Sequence, residues 1–142
     1  MNPELIMKTP VIFVVDKNPI HRNLIKYHLE INKFSIVHAF PTAEECLFRL
    51  HKNVHPDFLI TSFFTGSPTG FEFLRSVLEI SASTRVVFFD TFDDSQIAEK
   101  LLEAGASDFV VKTRNPDAGI SELLKNIRYL SREKATTSYH HS

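Results

Sequence analysis

At 142 residues the chain has the length of a single domain, long enough to bury roughly two-thirds of its unfolded surface. Hydrophobic residues make up 43% and charged residues 23%, and the formal net charge of −1 gives no electrostatic case for binding nucleic acid or a membrane surface. The single cysteine, Cys46, cannot close an internal disulfide, which fits a reducing cytosol, and no apolar run approaches the ~18 residues of a membrane span.

Residues 1–10 (MNPELIMKTP) read as a short leader without a signal-peptide layout. Short β-rich runs then alternate with helical-period segments five times. The first strand is predicted at Val11–Val15 (VIFVV), and Asn18-Pro19 opens the first helix with a capping side chain before a proline. A second strand is expected at Ser35–Phe40. Thr42-Ala-Glu-Glu45 reads as a capping box for the next helix, on which Cys46 is a small packed residue. The third strand spans Phe58–Thr61 and is followed by a loop and a helix start at Gly70-Phe71. Val86–Phe89 forms the fourth strand. Gly105, after Leu101, Leu102 and Ala104, stops the fourth helix. The fifth strand is Phe109–Val111, and Asn115-Pro116 opens a last helix with Ile120, Leu123, Leu124, Ile127 and Leu130 on one face. Residues 132–142 (REKATTSYHHS) read as a polar tail or linker, leaving 11–131 as the folded domain.

Continuous apolar runs such as VIFVV and VVFF suit strands covered on both faces, so the expected fold is α/β: a doubly wound, five-stranded parallel sheet in a three-layer sandwich. Its functional edge lies at the carboxyl ends of the strands. Asp16 and Lys17 follow the first strand, Ser62 the third, Asp90 the fourth, and Lys112 the fifth. Enzymatic patterns are missing from this edge. The four glycines, Gly66, Gly70, Gly105 and Gly119, all lie away from the loop after the first strand, which excludes a dinucleotide turn or P-loop there. No nucleophile elbow occurs, and His38, His51 and His55 have no metal-ligand spacing with one another or with Cys46.

The stretch PDFLITSFFTGSPTGFEFLR, residues 56–75, together with VVDKNP, VVFFDT and FVVK, resembles the response-regulator receiver domain of two-component signalling, across roughly residues 10–130. The resemblance implies a flavodoxin-like fold. It also implies a pocket with two adjacent acidic residues after the first strand, a phosphoacceptor aspartate after the third, a hydroxyl residue after the fourth and a lysine after the fifth. Asp16 and Lys112 match that pattern. Lys17 stands at the second acidic position, Ser62 at the phosphoacceptor position, Asp90 at the hydroxyl position and Thr113 where the family has a proline. Asp57 lies at the wrong end of its strand to be the acceptor.

The family's three carboxylates and one lysine sum to −2, which a magnesium ion offsets. Here Asp16 and Asp90 against Lys17 and Lys112 sum to zero, so magnesium binding is expected to be lost, and no cofactor is expected. Two arrangements stay open for these charges. One is a fixed network with Lys17 in the place of the metal and Lys112 bridged to Asp16 or Asp90; the other is four solvated side chains. Phe109 stands where receivers carry an aromatic residue that moves with phosphorylation state, or else packs locally. His21, near the pocket on the first helix, reads as polar.

The resemblance therefore points to a degenerate receiver, not an enzyme, acting in the cytoplasm by protein contact without phosphorylation. The alternative is a conventional phosphorelay regulator using another acceptor, such as Asp16. Its implied partners are a histidine kinase, an output domain or a second copy of itself, through the surface from Asp94 to Leu130. On that surface Gln96, Lys100, Glu103, Ser107 and Asp108 are expected to be exposed.

Overall fold

The computed structural model describes residues 9–64, 66–112 and 116–141. Five strands and five helices alternate along them: β1 (Val11–Val15), α1 (Pro19–Ile31), β2 (Ile36–Phe40), α2 (Ala43–Leu50), β3 (Phe58–Thr61), α3 (Gly70–Ile80), β4 (Arg85–Asp90), α4 (Ser95–Glu103), β5 (Asp108–Val111) and α5 (Pro116–His141). All strand pairs are parallel, and the sheet order is β2-β1-β3-β4-β5. That order places the chain reversal at β1 and β3, where doubly wound sheets form their ligand crevice.

The apolar runs divide between the two faces with a period of two. Ile12, Val14, Phe58, Ile60, Val87 and Phe89 pack with Ile25 and Leu29 of α1 and with Ile120, Leu123, Leu124 and Ile127 of α5. Phe13, Val15, Leu59, Val86 and Phe88 pack on the other face against Cys46 and Leu50 of α2, Phe73, Leu74 and Val77 of α3, and Leu101 of α4. Both faces are buried, which is why these strands read as unbroken hydrophobic runs.

Local signals set most helix ends. Asn18 caps α1 by accepting from the Ile20 and His21 backbone N–H groups, with Pro19 at the first helical position. Asp94 caps α4 in the same way through Gln96 and Ile97. Thr42 accepts from the Glu45 N–H, one half of the expected box. Both halves form at Thr69 and Glu72 at the start of α3, a box hidden in the sequence by the irregular loop ahead of it. Gly105, at φ +114°, ends α4: its N–H donates to Leu102 and the next N–H, of Ala106, to Leu101. Lys33, at φ 73°, closes α1 by the same pair of bonds to Glu30 and Leu29, without a glycine to announce it.

One reading gains structure at the end of the chain. The segment from Arg132, read as a tail, continues α5 as helix to His141. The Asn115 cap, Thr113 and most of the leader lie outside the described residues. Among the described residues no helix is long and apolar enough to cross a membrane.

Candidate functional site

The strand registers deliver the polar residues to one edge. Val15 pairs with Thr61, Thr61 with Phe88, and Asp90 with Val111, so the residues that follow these pairs gather where the sheet ends. Backbone bonds hold them there: Ser62 N–H donates to Val15 O (3.1 Å) and Lys112 N–H to Asp90 O (2.6 Å). A cavity of about 450 Å³ opens at this edge, lined by Asp16, Lys17, His21, Ser62, Asp90 and Lys112 among others. Asp57, by contrast, sits at the amino end of β3, where its carboxylate accepts from the Val11 N–H at 2.8 Å.

Asp16 and Lys112 form the polar centre. Lys112 Nζ donates to Asp16 Oδ2 at 2.8 Å, and their side chains are only 10% and 6% exposed. The other carboxylate oxygen, Oδ1, accepts from the Asn18 N–H at 2.9 Å, and the Arg22 guanidinium donates to the Asp16 carbonyl at 2.8 Å. The Asp16-Lys17-Asn18 turn is thus an aspartate bonding to the N–H two residues on, a local signal readable in the sequence. Lys112 Nζ also donates to His21 Nδ1 at 3.1 Å and lies 5.3 Å from the centre of the Phe89 ring. His21, read as merely polar, therefore belongs to the pocket. Its place near the pocket follows from the start of α1, but its bond does not, because its partner is 91 residues away.

Asp90 takes a different role from the one open to it in the charge network. Among the described residues its carboxylate meets no lysine ammonium; Oδ2 accepts from the Phe63 N–H at 2.8 Å, and Oδ1 lies 3.3 Å from Thr91 Oγ1 and 3.4 Å from the Phe92 N–H. Lys17 is exposed and forms no ion pair among the described residues. One bridge of the envisaged network exists, between Lys112 and Asp16, and Lys17 stays outside it.

Phe109 is half-buried and stacks on Phe88, with ring centres 6.3 Å apart and planes 13° apart. Phe88 in turn touches Phe63, which stacks on Phe92 at 5.8 Å and 6°. On the surface expected to meet partners, Gln96, Lys100 and Glu103 are exposed. Ser107 and Asp108 are half-buried instead. Asp108 accepts from Asn126 Nδ2 at 2.7 Å, so it ties β5 to α5 and is not free for a partner.

This topology and a polar pocket at the carboxyl edge define a flavodoxin-like α/β protein with its site at the β1/β3 switch point. The particular family follows from comparison. The model of the response regulator receiver domain matches residues 12–125, and the chain belongs to that family, the receivers of two-component signalling. The chain is 27% identical over 120 residues to a two-component response regulator of Oryza sativa subsp. indica, covering 83% of this chain and 80% of that protein. It is 26% identical over 104 residues to a cyclic di-GMP phosphodiesterase of Thermotoga maritima, where the match covers 73% of this chain and spans 27% of the longer protein. Among solved structures, a response regulator receiver domain protein from Methanospirillum hungatei superimposes with a TM-score of 0.78 at 20% identity, covering 92% of this chain and 99% of that one.

Proposed function

We propose that this receiver is degenerate and signals by protein–protein contact without aspartyl phosphorylation. The observation that carries the reading is Ser62, which directly follows β3 and lines the pocket, and which by resemblance occupies the family's acceptor position. An acyl phosphate needs a carboxyl carbon, which serine lacks.

The rest of the pocket supports the same reading. Magnesium takes octahedral oxygen ligands, usually with one or two carboxylates. Both oxygens of Asp16 already hold donors, Lys17 brings a positive charge in place of a second acid, and Asp90 is turned to the Phe63 N–H. This donor set does not fit magnesium. Without it, little remains to neutralise a transferring phosphoryl group. Asp16 as a substitute acceptor fares no better: a nearly buried oxygen bound to the Lys112 ammonium must lose that partner before it can attack phosphorus.

No residue is assigned a catalytic role. The domain works in the cytoplasm, binds neither nucleic acid nor membrane, and meets its partner through the face of α4, β5 and α5. Gln96, Lys100 and Glu103 are among the exposed polar positions there. The candidate partners are a histidine kinase, an output domain or a second copy of the chain.

The test is an amide chemical-shift map of the wild-type chain with magnesium and beryllofluoride, a mimic of phosphoaspartate. Ser62, Asp90, Phe109 and Lys112 are expected to stay in place. A saturable shift of these residues sinks the reading, and an intact mass raised by one phosphoryl group after incubation with acetyl phosphate would make Asp16 the acceptor to examine.

A further inference from the structure

We infer that the Asp90 carboxylate is a fixed latch between the loop after β3 and the loop after β4, holding the aromatic cluster that reaches Phe109 in one arrangement. The inference rests on the phosphorylation-independent reading above and gives that pocket its regulation: the anion that joins the two loops is built into the chain.

The geometry is specific. Asp90 ends β4, yet its Oδ2 accepts the backbone N–H of Phe63, 27 residues earlier, at 2.8 Å. Oδ1 faces the other way, towards the Thr91 hydroxyl and the Phe92 N–H of its own loop. One carboxylate thus touches both loops, and the Asp90 carbonyl receives the Lys112 N–H, which ties in the end of β5. A hydroxyl residue at this position has a single oxygen, one bond closer to the backbone, and cannot present two oxygens in opposite directions. A hydrogen bond to a carboxylate is also roughly twice as strong as one between neutral groups.

The aromatic rings carry the consequence outward. Phe63 and Phe92, the two residues whose N–H groups face Asp90, stack on each other almost in parallel, at 5.8 Å and 6°. Phe63 meets the edge of Phe71 at 5.7 Å and leans on Phe88 at 6.2 Å, and Phe88 stacks on Phe109. Gly70 closes the space behind the Phe63 ring, since a Cβ there would come within 2.4 Å of Phe63 Cδ2. Phe63 therefore has little room to turn while its N–H stays bound. Releasing the N–H frees the loop, and with it the stack that ends at Phe109 on the α4–β5 side.

The experiment is amide hydrogen exchange and microsecond-to-millisecond relaxation dispersion on the full chain, wild type against Asp90→Ala, in buffer with a chelator and no phosphoryl donor. In the wild type the Phe63 amide is expected to be protected. In Asp90→Ala its exchange should rise roughly tenfold or more, the loss of one charge-assisted bond. Phe63, Phe92 and Phe109 should then broaden together with a common exchange rate. If Asp90→Ala does not fold, Asp90→Asn, which keeps one acceptor oxygen and loses the charge and the second acceptor, should give a smaller rise at the Phe63 amide and the same joint broadening of Phe63, Phe92 and Phe109. Thr91→Ala, which removes only the long 3.3 Å contact, should leave all three residues unchanged. An unprotected Phe63 amide in the wild type, or changes confined to residues 90–92 in the variants, overturns the latch. That failure would leave the phosphorylation-independent reading standing, because the reading falls to a response of the wild type to magnesium and beryllofluoride or to a phosphoryl donor, neither of which is present in this experiment.

Discussion

Replacing Lys112 by methionine should be far more damaging than replacing both Lys112 and its partner. The pair is 2.8 Å apart, and both side chains are at least nine-tenths buried. At an effective dielectric constant of about 20 the gross attraction at that distance is about 6 kcal/mol. Desolvating each ion costs several kcal/mol, so the intact pair contributes little net stability. Removing the lysine alone keeps the desolvation cost of Asp16 and discards the attraction. Breaking a buried pair typically costs ~3–5 kcal/mol. Asp16 retains the Asn18 N–H as a donor, which sets the expectation for Lys112→Met near the lower end, about 3 kcal/mol. In Asp16→Asn/Lys112→Met no charge is stranded, and the cost should fall to about 1 kcal/mol. Urea unfolding followed by circular dichroism measures all four corners of the cycle, with the slope checked for constancy. The coupling should exceed about 1.5 kcal/mol. A Lys112→Met cost below about 1 kcal/mol, or two single substitutions that simply add, would refute the description of this pair as a buried, mutually dependent unit.

Four further outcomes can be measured. Gly70→Ala should cost about 1–3 kcal/mol, because its new Cβ would meet the Phe63 ring at 2.4 Å; a neutral result in thermal unfolding would show that the ring is free to move. Gly105→Ala should cost at least about 1 kcal/mol, since φ is +114° and Leu78 Cδ1 lies 2.7 Å from the added atom. Burial pushes the Cys46 thiol up from 9.0 to about 12, so a native-state thiol reagent at pH 8 should label it only as fast as the chain unfolds. Below pH 9 both folded and unfolded thiols keep their proton. Above it the unfolded thiol ionises first, so stability should decline from pH 9 towards 12, by less in Cys46→Ala. Thr69→Ala should cost about 1 kcal/mol by loss of the cap and weaken the dependence on acid only in part: the Thr69 backbone N–H, the larger cause that lowers the Glu72 carboxyl from 4.5, stays, and only the smaller contribution of the hydroxyl is lost. That contribution is present above 4.5 and is lost as pH falls through the lowered value, which unfolding as a function of pH would register.

The order and kind of the elements were legible in the chain because their causes are local or periodic. VIFVV and VVFF read as doubly covered strands, and the structure sends Ile12 and Val14 to one face and Phe13 and Val15 to the other. Asn18-Pro19 and Gly105 mark helix ends through bonds to residues within four positions, so their chemistry is contained in a short window. The box at Thr69 and the turn at Lys33 follow the same physics. They were harder to read because one sits behind an irregular loop and the other uses a lysine where glycine is usual.

The pocket is different in kind. The residues at the strand ends follow from the sequence once the strands are placed, but their partners do not. Lys112 chooses Asp16, 96 residues away, over Asp90; Asp90 turns to the Phe63 N–H; His21 joins the lysine; and Lys17 stays outside the pair. Four charges that sum to zero on paper admit several pairings, and sequence spacing cannot rank them. The ranking comes from the parallel register, which fixes how far each strand end projects and which backbone N–H groups face each carboxylate. Asp108 shows the same division: a polar residue at a predicted surface, drawn half into the fold by Asn126 on a helix that only the tertiary structure brings beside it. Backbone geometry is decided by neighbours in the chain, whereas the pairing of buried charges is decided by neighbours in space.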